Sequence, residues 1–212
     1  MFIIESSQIN NISLAIQKQG YIVLPSFVPE RLLQHLITRI ESFEDSELKK
    51  AGIGRGAVQQ KNSDIRRDKI QWLERQNKTD STFLELMESL RHGLNQQLFL
   101  GLFDYESHYA VYQPGDFYKK HLDSLKGKSN RVLSTVLYLN KQWEAENGGE
   151  LILYAPDGQA VLKKIQPTQG TMAIFLSEQF PHEVMAANKT RYSIAGWFRL
   201  NASGSKEIDT PA

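Results

Sequence analysis

The chain has 212 residues, no cysteine and a formal net charge of +1, with 41% hydrophobic and 23% charged residues. This is a globular composition with enough chain for a full core, and it excludes disulfides, thiolate metal sites and the broad basic field that nucleic-acid binding requires. No apolar run reaches the length of a membrane span, and the start MFIIESSQINN has no basic segment of the signal-peptide kind, so a cytoplasmic protein without membrane attachment is expected.

In chain order, a first helix is predicted over 8–18, capped by Ser7 or Asn11 and ended by Gly20. GYIVLP (20–25) follows as a short buried strand. Pro29 opens a second helix, in which Leu32, Leu33, Leu36 and Ile40 repeat at helical spacing to about 46. AGIGRGA (51–57) is glycine-rich but has no Lys-Ser/Thr and no strand before it, so it is a turn rather than a phosphate loop. A strand at 57–60, a charged loop KNSDIRRD (61–68) and a strand IQWL (70–73) come next. A long helix over 80–99, opened by Asp80 or Ser81, carries the apolar stripe Phe83, Leu86, Met87, Leu90, Leu94 and Leu98.

From Asp104 the pattern changes to short strands divided by turn signals. They run at 105–112, 117–123, 131–139, 149–154, 159–165, 170–176, 182–186 and 190–199. Eight antiparallel strands can close a two-sheet barrel around a small cavity. The fold class expected is mainly β with supporting helices (α+β), a jelly roll with N-terminal helices packed on one sheet. One domain over 1–212 is predicted: helices and a finger loop (about 61–69) in 1–104, the barrel in 105–200, and a mobile tail, 201–212.

The chemistry concentrates in YQPGDFYKKHLD (112–123), which ends in a His-x-Asp pair. Strand residues two apart share a face, so His121 and Asp123 project side by side. His182, sixty-one residues on in FPHEV, supplies a second imidazole, and Arg191 follows nine residues later in TRYSIAGWF. Two imidazoles and one carboxylate on one face of a metal form the facial triad of non-haem Fe(II) oxygenases, with open positions left over. Arg191, Ser193, Ala195, Trp197 and Arg199 share one strand face. An inward guanidinium beside two small residues needs an anion, either a bound dicarboxylate or a structural Asp or Glu. Tyr138 shares a face with Ser134 and Val136, and its hydroxyl could help hold that carboxylate. His108 and Tyr112 share another face, with His108 as a polar core residue, while Trp197 forms an apolar wall.

Taken together these residues resemble the 2-oxoglutarate- and Fe(II)-dependent dioxygenases, and more closely the prolyl hydroxylases of the animal oxygen-sensing type. DIRRDKIQWLE (64–74), VLYLNKQW (136–143) and HEV with TRYSIAGWF (182–198) carry the likeness, while GRGAVQ and NQQLFLGLFDYESHYAVYQPG look closer to bacterial members. The resemblance implies a double-stranded β-helix, with Fe(II), 2-oxoglutarate and O2 as cofactors and ascorbate as a candidate reductant. It implies His121, Asp123 and His182 as iron ligands and Arg191 as the anchor of 2-oxoglutarate, assisted by Tyr138. By the same resemblance Tyr112, Val136 and Trp197 are pocket residues, and the finger loop closes over a peptide substrate, steadied by an Asp68–Arg131 ion pair. His108 takes the place of an apolar pocket residue. Because halogenating relatives lack the Asp123 carboxylate, hydroxylation is expected. The implied partner is a protein with a target proline, elongation factor Tu being the named candidate, and the enzyme is expected to be a monomer. A small-molecule hydroxylase, a non-catalytic 2-oxoglutarate or metal sensor, a nucleic-acid repair oxygenase and a zinc hydrolase are the alternatives.

Overall fold

The computed structural model of the chain describes residues 4–52, 63–124 and 129–201. The expected strand at 57–60, most of the glycine-rich turn, residues 61–62 of the finger loop and nearly all of the tail lie outside the described residues.

Helix α1 (Ser6–Gln19) ends where Gly20, at φ 81°, returns its N–H to the Ile16 carbonyl. A Cβ at Gly20 would lie 2.7 Å from the Phe180 ring, so glycine is required for both backbone and packing. The N-cap is Glu5, without a side-chain cap bond, rather than Ser7 or Asn11. Strand β1 (Tyr21–Leu24) follows, then helix α2 (Glu30–Glu41), preceded by Pro29. Helix α2 stops short of residue 46 at Ser42, whose hydroxyl donates to the Arg39 carbonyl at 2.8 Å. After β2 (Lys49–Lys50) and β3 (Lys69–Trp72), helix α3 spans Lys78–Leu98. Its cap is Asn77, which accepts from the N–H groups of Thr79 and Asp80. Asp80 does not cap because its buried carboxylate accepts from the Tyr109 hydroxyl (2.7 Å) and the Glu74 N–H (3.1 Å).

Eight strands follow, as the alternation predicts: β4 (Leu102–Tyr112), β5 (Tyr118–His121), β6 (Arg131–Tyr138), β7 (Leu151–Tyr154), β8 (Val161–Ile165), β9 (Met172–Leu176), β10 (His182–Val184) and β11 (Arg191–Leu200). They form two antiparallel sheets, ordered β1-β9-β6-β11-β4-β3-β2 and β5-β10-β7-β8. Period-2 alternation sorts each strand of the larger sheet between two cores. Leu133, Leu137, Ile174, Ile194 and Phe198 face the helices and pack with Leu36, Leu90 and their neighbours. Tyr112, Tyr138, Ala173 and Phe175 face the smaller sheet, where they meet Leu151 and Leu153. This is the expected jelly roll, and the space between its sheets holds the candidate site.

Candidate functional site

Antiparallel register closes the gap of sixty-one residues. His182, the first residue of β10, is the direct cross-strand partner of His121, the last residue of β5. Their ring centroids lie 4.3 Å apart. Asp123, two residues past the end of β5, turns its carboxylate toward both rings, with Oδ1 3.5 Å from His121 Nε2 and Oδ2 3.6 Å from His182 Nε2. One ligand atom from each residue can be chosen so that all three lie within 4.8 Å of one another, a spacing that could hold a metal ion.

The surroundings of the triad fit that role. His121 Nδ1 faces the Lys119 carbonyl at 2.8 Å, and His182 Nδ1 faces the Phe180 carbonyl at 3.1 Å. A carbonyl only accepts, so each Nδ1 carries a proton and Nε2 is the nitrogen turned toward the common point. Burial, reinforced by the neighbouring His121, pushes the pKa of His182 down to about 4, so the imidazole is neutral and able to ligate. Burial works against the Asp123 carboxylate, but His182 and His121 outweigh it and hold the group well below the usual range. Two imidazoles and a carboxylate are the donor set of the oxygenase facial triad.

The same cleft runs between the sheets past Tyr112, Val136, Trp197 and Arg191. Arg191 is fully buried. Its Nε donates to the Gly149 carbonyl at 2.8 Å and its Nη1 to the Ser193 hydroxyl at 3.2 Å, while Nη2 has no partner. Gly149, at φ 71°, leaves room for it, since a Cβ there would sit 3.1 Å from Arg191 Cδ. Among the described residues no carboxylate forms a salt bridge with this guanidinium. A buried cation without an anion is costly, and this geometry leaves Nη2 available to an anion. Tyr138 lies beside it, the guanidinium carbon 5.1 Å from its ring, and the buried Tyr138 hydroxyl is also without a partner. Burial pushes that hydroxyl up to about 12 despite the nearby Arg191, so it stays protonated and can donate.

Two expectations change. Asp68 and Arg131 do not pair. Arg66, two residues from Asp68, reaches it through Nε at 2.6 Å and Nη2 at 2.7 Å, and Arg131 instead pairs with Glu106 at 2.9 Å and stacks 3.5 Å over Trp197. The local fork of Arg66 saturates Asp68. His108 does not line the cleft but stands behind it, wedged between Trp72 (5.2 Å) and Trp197 (5.5 Å) as a buried core residue.

Four residues near the site were absent from the sequence-based assignment. Tyr118 stacks on His121 at 3.5 Å, and Arg66 lies 4.7 Å over the other partner of that stack, the Tyr118 ring. Both line the cleft. Ser134 donates to Asp123 Oδ2 at 2.6 Å and meets Ser177 at 2.9 Å. Strand alternation put Ser134 on the inner face beside Val136, which was the available signal; nothing marked Ser177.

The family model of the 2OG-Fe(II) oxygenase superfamily, whose members use Fe(II), 2-oxoglutarate and dioxygen, matches residues 107–199. A prolyl-4-hydroxylase from Pseudomonas putida is 34% identical with a TM-score of 0.82, over 92% of this chain and 100% of that one. A Trichoplax adhaerens prolyl hydroxylase, solved with a hypoxia inducible factor oxygen degradation domain peptide fragment, shares the fold with a TM-score of 0.79 at 23% identity, over 92% and 90% of the two chains. Human Egl nine homolog 1 is 29% identical over 191 residues, 85% of this chain and 44% of the human protein. The chain thus spans about half the length of the curated relatives it matches. With its triad and its cleft, the chain belongs to the 2-oxoglutarate- and Fe(II)-dependent oxygenases, within their prolyl hydroxylase family.

Proposed function

We propose that this chain hydroxylates a prolyl residue of a protein substrate, with elongation factor Tu as the candidate, converting 2-oxoglutarate to succinate and CO2. The observation that carries this reading is Arg191, a buried guanidinium with a free Nη2, on the wall of the cleft that also holds the triad. A dicarboxylate that reaches the triad with one end can place its other carboxylate against Nη2 and the Tyr138 hydroxyl. Fe(II) held by His121, Asp123 and His182 supplies, with 2-oxoglutarate and dioxygen, the oxidising power for insertion of one oxygen atom.

The chain's own residues bind, orient and exclude water. Tyr112, Val136 and Trp197 keep the cleft walls apolar apart from the anion cradle, which strengthens the pairing with Arg191. Tyr118 and Arg66 offer an aromatic face and a cation to a peptide at the mouth. The relatives that bear the name prolyl hydroxylase, one of them solved with a peptide, favour a protein substrate over a free amino acid. A monomer acting in the cytoplasm completes the proposal.

The test is incubation of purified elongation factor Tu with this protein, Fe(II) and 2-oxoglutarate under air, followed by peptide mass spectrometry. One added oxygen on a proline, dependent on 2-oxoglutarate and lost with His182→Ala, is expected. Succinate formation with no change in any cellular protein would point to a small-molecule substrate, and tight 2-oxoglutarate binding without turnover would point to a sensor.

A further inference from the structure

We propose that Ser134 and Ser177 act as positioning residues, an ordered pair of hydroxyls that selects which carboxylate oxygen of Asp123 is left for the metal. The proposal rests on the reading of His121, Asp123 and His182 as the metal site. Ser134, on β6, is 1% exposed, and Ser177, just past β9, is 0% exposed. Ser177 is fixed by its backbone N–H, which donates to the Val132 carbonyl at 2.9 Å.

The direction of the pair follows from proton counting. A serine hydroxyl has one proton to give, and an ionised carboxylate has none. Ser134 donates to Asp123 Oδ2 at 2.6 Å, so its 2.9 Å contact with Ser177 must be donated by Ser177. The order is Ser177 to Ser134 to Asp123. The Ser134 hydroxyl, at 2.6 Å, stands closer to this carboxylate than either imidazole, whose Nε2 atoms lie 3.5 and 3.6 Å from its oxygens.

That asymmetry distinguishes the two oxygens. Oδ2 accepts a short charge-assisted hydrogen bond from Ser134, whereas Oδ1 receives no hydroxyl. The carboxylate would therefore offer a metal one oxygen, Oδ1, rather than both. Without the Ser134 hydroxyl the carboxylate can rotate and present both oxygens. Two buried serines that merely satisfied each other would be nearly neutral to joint replacement by alanine.

The experiment uses Mn(II) as the metal probe on the metal-stripped protein, reading its dissociation constant by electron paramagnetic resonance and then the 2-oxoglutarate dissociation constant of the Mn(II)-loaded form. Ser134→Ala is expected to weaken Mn(II) by about 10–100-fold, the usual effect of losing an outer partner of a metal ligand. It should also raise the 2-oxoglutarate dissociation constant. Ser177→Ala should shift both in the same direction by a smaller factor, and Ser134→Thr should restore them. Thermal melting of each metal-free variant checks that the fold is retained; should Ser134→Ala not fold, Ser177→Ala and Ser134→Thr decide the question. Unchanged constants in Ser134→Ala, or in Ser177→Ala where that variant decides, overturn the relay. A wild-type protein whose Mn(II) affinity is untouched by His182→Ala overturns the metal site itself, a result separate from failure of the relay.

Discussion

At the scale of single residues, Arg191 is a buried guanidinium whose proposed partner is a bound anion. Its Nη2 has no partner, and no carboxylate among the described residues forms a salt bridge with it. Removing one member of a buried ion pair costs about 3–5 kcal/mol because a charge is stranded, but here no partner charge would be stranded. Arg191→Met should therefore change the unfolding free energy of the metal-free protein by less than about 1.5 kcal/mol, the scale of one hydrogen bond. The same variant should weaken 2-oxoglutarate by about 100-fold or more, since two charge-assisted hydrogen bonds of about 1.5–3 kcal/mol each are lost. Denaturant melts and ligand titration on one preparation check both halves; a large loss of stability would make Arg191 structural. His108 gives a second residue-level prediction. Burial, helped by Arg66 and Arg131 and opposed by Asp68, pushes its pKa down to about 3. The unfolded chain, with a histidine pKa of about 6.5, then binds a proton that the folded one refuses. Stability accordingly falls as pH drops from about 6.5 toward 3, by about 1.4 kcal/mol per pH unit for this one group. Unfolding free energies from urea melts between pH 6.5 and 5 should fall less steeply in His108→Leu, and equal slopes would contradict a neutral buried imidazole.

At the scale of elements, the site depends on strands that bring remote residues into register. The cross-strand pair His121–His182 is a consequence of β5 lying against β10, and the segment around Arg66 covers the outer edge of β5 in turn. Lys119 N–H donates to the Ile65 carbonyl at 2.9 Å, and Arg67 N–H to the Phe117 carbonyl at 3.1 Å. The root of the predicted finger loop is thus sewn to the strand that carries His121, a candidate metal ligand, and Arg66 tightens the seam by stacking on Tyr118 while forking onto Asp68. Arg66→Ala should loosen this edge, lowering hydroxylation of a protein substrate at least tenfold while changing succinate release without substrate by less than about twofold. Equal loss of both activities would place Arg66 in support of the metal rather than of the substrate. Element positions were legible because alternation and apolar spacing are local signals: eight barrel strands and three helices are found at the predicted places, with α2 ending a turn early. Caps were less legible. Asp80 looks like a helix cap in sequence, but tertiary contact with Tyr109 claims its carboxylate and leaves the cap to Asn77.

At the scale of the whole molecule, two sheets enclose a cleft lined by Arg191 and by three residues that could hold a metal ion, while the helices pack on the back of the larger sheet. The placement of the three candidate ligands and Arg191 on one cleft could be read from the chain because His-x-Asp and inward alternation fix side-chain direction without knowledge of the fold. The Asp68–Arg131 pairing failed for the opposite reason: which cation reaches a buried carboxylate depends on the path of the backbone, and Arg66 is nearer. Ser177 was invisible because a serine after a strand carries no signal until Ser134 is placed against it. The central claim is that His121, Asp123 and His182 hold one ferrous ion that the chain uses with 2-oxoglutarate. The most direct measurement is succinate released from 2-oxoglutarate under air by the purified protein, with and without added Fe(II), in the wild type and in each alanine variant of the three ligands. The account predicts release that requires Fe(II) in the wild type and is abolished in His121→Ala, Asp123→Ala and His182→Ala, whereas undiminished release from any one of those variants would contradict it.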